Sequence, residues 1–166
     1  MWWILPLAVA CGAVLLDQVS KLLVLNLMYQ GQVVLIPNIL NFTYVENRGM
    51  AFGWLSDHRW VFLLFSVLGI AAMTFYLWKF ATTRVARIGL ALMIGGGIGN
   101  MIDRLAYGFV VDFIDFCAFD FWQWVFNIAD ACVCVGAALL ALDIFRELFF
   151  SKENPPAKED GDGTNS

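Results

Sequence analysis

GGGIGNMIDRLAYGFVVDFIDFCAFDFWQWVFNIAD, residues 95–130, decides how the chain is read. It begins at the end of one apolar run and finishes at the start of another. Between them Asp103, Asp112, Asp115, Asp120 and Asp130 lie in apolar and aromatic surroundings. Carboxylates are costly in or near a bilayer and are rarely kept there without a task. The stretch therefore predicts the working site of a membrane-embedded protein.

The rest of the chain fits a membrane. Of its 166 residues 61% are hydrophobic, against about 45–50% in a soluble domain, and the mean hydropathy is +0.74. The net charge of −4 gathers partly at the end, where Glu153, Glu159, Asp160 and Asp162 face Lys152 and Lys158. The chain has no basic patch of the kind that binds nucleic acid. Cys11, Cys117, Cys132 and Cys134 form no CxxC, and His58 is the sole histidine. Zinc spacing is absent, so neither a metal nor another cofactor is predicted.

Hydropathy places four spans at about residues 2–25, 60–80, 88–105 and 126–149, each near the ~20 residues that cross a ~30 Å hydrocarbon core. The N-terminus lacks the basic region of a signal peptide and is read as a mature span that Trp2 and Trp3 anchor at the interface. Residues 30–57 carry turn signals around the branched and aromatic runs QVVLI and LNFTYV. They predict a small strand-rich element at the membrane surface, its apolar face toward headgroups or a lipid substrate. Lys79, Arg84 and Arg87 make the densest basic cluster, which assigns the middle connection and both termini to the cytoplasm. Residues 1–150 thus form one membrane domain, and residues 151–166 a disordered polar tail. The fold class predicted is an all-α membrane protein with four transmembrane helices and a small strand-rich extracytoplasmic element.

Depth can be counted along such helices. Asp17 and Asp103 each fall about fifteen residues into an outgoing span, or ~22 Å along it. Asp130 falls about four residues into an incoming span, ~6 Å below the outer boundary. In a core of ~30 Å the three converge on one level, ~6–8 Å beneath the outer surface. Asp17 and Lys21 share a helix face, as do Asn100 with Asp103 and Asn127 with Asp130. Each amide is expected to orient its own carboxylate, and Arg104 to balance the charge of Asp103. Residues 95–99, GGGIG, allow close helix approach. They lack the Lys-Ser/Thr of a phosphate-binding loop.

Paired carboxylates are the chemistry left open. Ser20 and Lys21 are adjacent on a helix and project apart, which disfavours a serine–lysine dyad. Two poorly solvated carboxylates do not both ionise cheaply, so one tends to keep a proton. The charged one can then draw a proton from water while the other serves a carbonyl oxygen. A small transporter or proton channel built on the same acids is the alternative. It predicts ion flux and no cleavage. On this reasoning Asp103 and Asp130 stand out, while Asp112, Asp115 and Asp120 are equivalent.

Five motifs in this order resemble the bacterial lipoprotein signal peptidases, or signal peptidase II. They are residues 17–21 (DQVSK), 47–53 (NRGMAFG), 95–104 (GGGIGNMIDR), 110–113 (VVDF) and 126–130 (FNIAD). Gly97 departs from the family, which commonly has Ala there. The resemblance covers roughly residues 12–148 and implies a four-helix aspartic endopeptidase of the bacterial inner membrane, active near the extracytoplasmic face. It implies substrates that are prolipoproteins bearing a diacylglyceryl cysteine, cut on the N-terminal side of that cysteine. By motif position it implies Asp112 and Asp130 as the catalytic pair. Asp17, Lys21, Asn47, Asn100, Asp103, Arg104 and Asn127 become the polar residues that support the pair or bind substrate. Prolipoproteins and membrane lipids are the expected partners, and the protein is expected to be a monomer.

Overall fold

The computed structural model describes residues 2–28, 31–49, 59–118 and 124–150. Helix α1 (Ile4–Leu27) is followed by strands β1 (Gln32–Ile36) and β2 (Leu40–Asn47). Helices α2 (Arg59–Lys79) and α3 (Arg84–Ala106) come next. Strands β3 (Val110–Phe116) and β4 (Val125–Phe126) then lead into α4 (Ile128–Phe150). All four helices are long and apolar enough to cross a membrane. Their outward faces carry exposed Leu15, Leu16, Leu64, Phe65, Leu142 and Phe145, as expected of helices that are apolar all round.

Helix α3 is central and packs against α1, α2 and α4. Its small residues allow this. A Cβ added to Gly89 would stand 2.7 Å from the Gly136 carbonyl of α4, and one added to Gly95 would stand 2.7 Å from the Ala10 carbonyl of α1. Side chains there would force the backbones apart. The helix starts at Arg84, earlier than the Ile88 start suggested by hydropathy. Thr83 caps it by accepting the Ala86 N–H at 3.0 Å, so the polar first turn is helical although it is not apolar. Arg84 and Arg87 accordingly sit inside α3 rather than in the connection.

The two runs read as strands in the sequence form β1 and β2. Asn38 turns the chain between them with a φ of 60°, a conformation Asn tolerates better than most residues. Residues 50–57 of the strand-rich stretch lie outside the described residues. The second connection, residues 107–125, read from the sequence as an aromatic and acidic outer connection, adds β3 and β4 to the same antiparallel sheet in the order β1-β2-β3-β4. All four strands adjoin the C-terminal ends of α1 and α3 and the start of α4, so the sheet covers one end of the bundle. Val24 of α1, Val111 and Phe113 of β3 form its buried seam, flanked by Phe42, Tyr44 and Ile128. Between Phe42 and Val45 the pairing of β2 with β3 slips by a bulge, and beyond it Val45 stands opposite Asp112. Bulges bend a strand and re-aim its side chains; here the bulge precedes a buried carboxylate.

Candidate active site

Two polar layers meet where α1, α3, α4 and β3 come together. The first is an ion triad. Lys21 of α1 is 2% exposed, and its ammonium lies 2.8 Å from Asp17 Oδ2 and 2.9 Å from Asp103 Oδ2. Its third donor reaches Asn100 Oδ1 at 2.9 Å. A buried ammonium is tolerable only when paired and fully bonded, and Lys21 meets that condition. The second oxygen of each aspartate reaches across the fold. Asp17 Oδ1 accepts the Ala129 N–H of α4 at 2.9 Å. Asp103 Oδ1 accepts from the Gln18 amide at 2.9 Å, while its Oδ2 also accepts the Val111 N–H of β3 at 3.0 Å.

The second layer is a carboxylate pair, Asp112 on β3 and Asp130 in the first turn of α4. Asn127 joins them. Its side chain donates to Asp112 Oδ1 at 2.6 Å, and its backbone N–H donates to Asp130 Oδ2 at 3.3 Å. Its Oδ1 accepts the Asp130 N–H at 2.9 Å. Asn127 and Asp130 therefore form a reciprocal cap at the start of α4. The remaining oxygens are also met. Asn47 of β2 donates to Asp112 Oδ2 at 2.8 Å, and Asn100 of α3 donates to Asp130 Oδ1 at 2.8 Å. Asp112 is 2% exposed. Burial, assisted by the neighbouring Asp130 charge, outweighs the Asn47 and Asn127 hydrogen bonds and the Lys21 charge and pushes its carboxyl up to about 7. One such acid beside a second carboxylate can hold a proton at neutral pH, and that is what water activation with simultaneous protonation of a carbonyl requires.

The convergence of Asp17, Asp103 and Asp130 counted from helix length is present. Two finer expectations change. Arg104 still feels the Asp103 charge, but the salt bridge to Asp103 is made by Lys21, while the Arg104 guanidinium lies 5.0 Å from the Phe62 ring centroid and donates to the Asn100 carbonyl at 3.4 Å. Nor do Asn100 and Asn127 serve the carboxylates three residues on through their side-chain N–H groups. Asp103 is already filled by Lys21, Gln18 and Val111, so the Asn100 amide turns to Asp130; the Asn127 amide turns to Asp112. Gln18 was missed as a site residue. It was the neighbour of Asp17 in the first motif, and its amide also lies 3.2 Å from Asp17 Oδ2 and from the Gly99 carbonyl. Asp115 reaches only Thr43, at 3.5 Å, among the bonds of the described residues, and Asp120 lies outside them.

A cavity of about 310 Å³ opens beside the pair, lined by Asn47, Trp124, Phe126, Asp130, Val133 and Cys134. A second cavity, also about 310 Å³, lies between α2, α3 and α4 against Phe62, Phe65, Met73, Gly97 and Arg104. Val133 lines both.

Residues 9–146 match the family model described as signal peptidase (SPase) II. The lipoprotein signal peptidase of Caulobacter vibrioides is 43% identical over 153 residues, covering 89% of this chain and 88% of the relative. That of Clostridioides difficile is 41% identical over 140 residues, covering 84% and 91%. A solved bacterial membrane enzyme superposes with a TM-score of 0.83 at 30% identity, covering 90% of this chain and 93% of the other. Fold and relatives together define a multi-pass membrane peptidase. The chain belongs to the signal peptidase II family.

Proposed function

We propose that the protein is an aspartic endopeptidase that removes signal peptides from diacylglyceryl-modified prolipoproteins, with Asp112 and Asp130 as its catalytic pair. The observation that carries this reading is the joining of two carboxyl groups from different elements through Asn127, beside a cavity at the sheet end of the bundle. The ionised member takes a proton from water as the water oxygen attacks the scissile carbonyl carbon. The other member gives its proton to the carbonyl oxygen. When the tetrahedral intermediate collapses, the first returns its proton to the leaving amine. The second regains one from the hydroxyl that becomes the carbonyl. No covalent enzyme intermediate is needed.

Asn47, Asn100 and Asn127 orient the pair in this reading. Asp17, Lys21 and Asp103 hold α4 and β3 in place beneath it. Arg104 faces the cavity in which the lipid portion lies, and Val133 marks where the lipid and peptide paths join. The enzyme works as a monomer in the bacterial inner membrane. Both termini are cytoplasmic, and the pair sits just below the extracytoplasmic surface. A substrate anchored by acyl chains then arrives laterally, at the depth of the carboxylates.

The test is incubation of the purified protein with a precursor carrying the diacylglyceryl cysteine and with the same precursor unlipidated, cleavage being read by gel mobility. Cleavage of the lipidated form before its cysteine is expected. Intact lipidated precursor, or equal cleavage of both forms, rejects the reading.

A further inference from the structure

We infer that the resting proton of the carboxylate pair sits on Asp112 and the negative charge on Asp130, and that Lys21 acts through the Asn100 side chain to hold the charge there. This rests on the pair being the reacting groups. It fixes which of them is the acid and which the base.

The surroundings of the two carboxyls are unequal. Asp130 lies at the start of α4, where the free backbone N–H groups concentrate positive potential. The Asn127 N–H points at its Oδ2. Its Oδ1 receives the Asn100 amide, whose own oxygen is held by the Lys21 ammonium at 2.9 Å and by the Asn127 amide at 3.1 Å. A cation on the oxygen of an amide draws electrons from its nitrogen and makes each N–H a stronger donor. Lys21 is thus linked to Asp130 through one side chain without touching it. Among the described residues Asp112 has no such hydrogen-bonded link, and the Lys21 charge reaches it only through space. It lies on strand β3 rather than at a helix start, and the side-chain donors to its Oδ1 and Oδ2 are the neutral amides of Asn127 and Asn47. The other charges facing the pair are Asp17 on α1 and Asp103 and Arg104 on α3. Burial of Asp112 supports the same assignment.

In the forward step Asp130 therefore takes the proton from water, and Asp112 supplies the proton for the carbonyl oxygen. Lys21 and Asn100 are positioning residues: Lys21 holds the Asn100 oxygen, and the Asn100 amide holds the Asp130 carboxylate.

Infrared pH titration of the whole protein in lipid tests this without turnover, so a lack of peptidase activity leaves the test intact. The band to follow is the protonated-carboxyl stretch that titrates near neutrality. It is expected to be absent in Asp112→Asn and retained in Asp130→Asn. Any other pairing overturns the assignment. Asn100→Ala breaks the link from Lys21 to Asp130 while leaving the ammonium paired with both Asp17 and Asp103. The pair should then take up its second proton about tenfold more readily, so that a second carboxyl band grows in at higher pH. Asn100→Gln, which keeps an amide, should restore part of the shift. An unchanged second band in a folded Asn100→Ala protein overturns the role of Lys21.

Discussion

In the proposed mechanism Asp112 bears on both activity and stability. Asp112→Asn and Asp130→Asn each keep side-chain size and remove a group that must cycle its proton. Each variant should fold and leave lipidated precursor uncut. Activity within about tenfold of the parent in either one would reject a two-carboxylate mechanism. The pH profile gives a sharper reading. The Asn47 amide donates to Asp112 and so favours its charged form. Asn47→Ala should make Asp112 keep its proton to higher pH, moving the alkaline limb of kcat/KM upward from about 7. A downward or absent shift in a folded variant opposes this account. Stability follows the same sign. Asp112 is raised from 3.8 to about 7, so its contribution to stability is complete below the unfolded value and is lost as pH climbs through the folded one. The parent should lose thermal stability between those limits, and Asp112→Asn should lose less. Heating in detergent at pH about 5 and about 8 measures the difference. Composition and helical spacing did not single out Asp112; only the VVDF motif of residues 110–113, by its resemblance to the family, pointed to it. Asp112 and Asp115 lie three apart in the same run, and it is the fold of β3 that buries Asp112 and leaves Asp115 half-buried.

At the level of elements, the start of α4 is the part the rest of the fold serves. Asn127 accepts the Asp130 N–H, Asp130 accepts the Asn127 N–H, and Asp17 accepts the Ala129 N–H from another helix. The turn that carries one member of the pair is thereby tied to both α1 and β3. Close approach by α3 completes it. A Cβ on Gly96 would run into the Ala129 carbonyl and Val133 Cγ2, whereas one on Gly12 would meet nothing within 4 Å. Gly96→Ala should therefore cost about 1–3 kcal/mol and lower cleavage with it, while Gly12→Ala should change neither. Thermal unfolding and turnover of both variants check this; equal behaviour would mean that the packing of α3 on α4 does not position the pair. Much of this level was legible. Turn residues around branched runs marked β1 and β2, and the density of glycine marked the packing face of α3. Strand β3 was less so, because its run VVDFIDF sits in a stretch whose aromatic residues and acids suited a surface connection equally well. The partners of the asparagines were not legible at all. Helical spacing tells which side chains share a face, but which neighbour each reaches depends on what has already filled that neighbour.

Across the whole molecule, the level at which the acids meet follows from simple counting. Two helices running one way and one running back bring carboxylates to a common end of the bundle because rise per residue and span length are nearly fixed. Counting does not say which end faces the cytoplasm. That rests on charge. Lys79 closes α2, Arg84 and Arg87 open α3, and Arg87 stacks over Trp2 at the start of α1, 4.9 Å from its ring centroid. Lys79, Arg84 and Arg87 thus form a basic cluster at the end opposite the sheet, and positive residues near span ends are retained on the cytoplasmic side. A reporter active only in the cytoplasm should be active when fused after Arg84 and silent when fused after Asn38, in the turn between β1 and β2. The two fusions lie at opposite ends of the bundle, so a correct orientation must give opposite results. The reverse pattern would put the carboxylate pair at the cytoplasmic face, where a precursor already exported and lipidated would not meet it at the right depth. The fold would survive that result, but the proposed substrate would not.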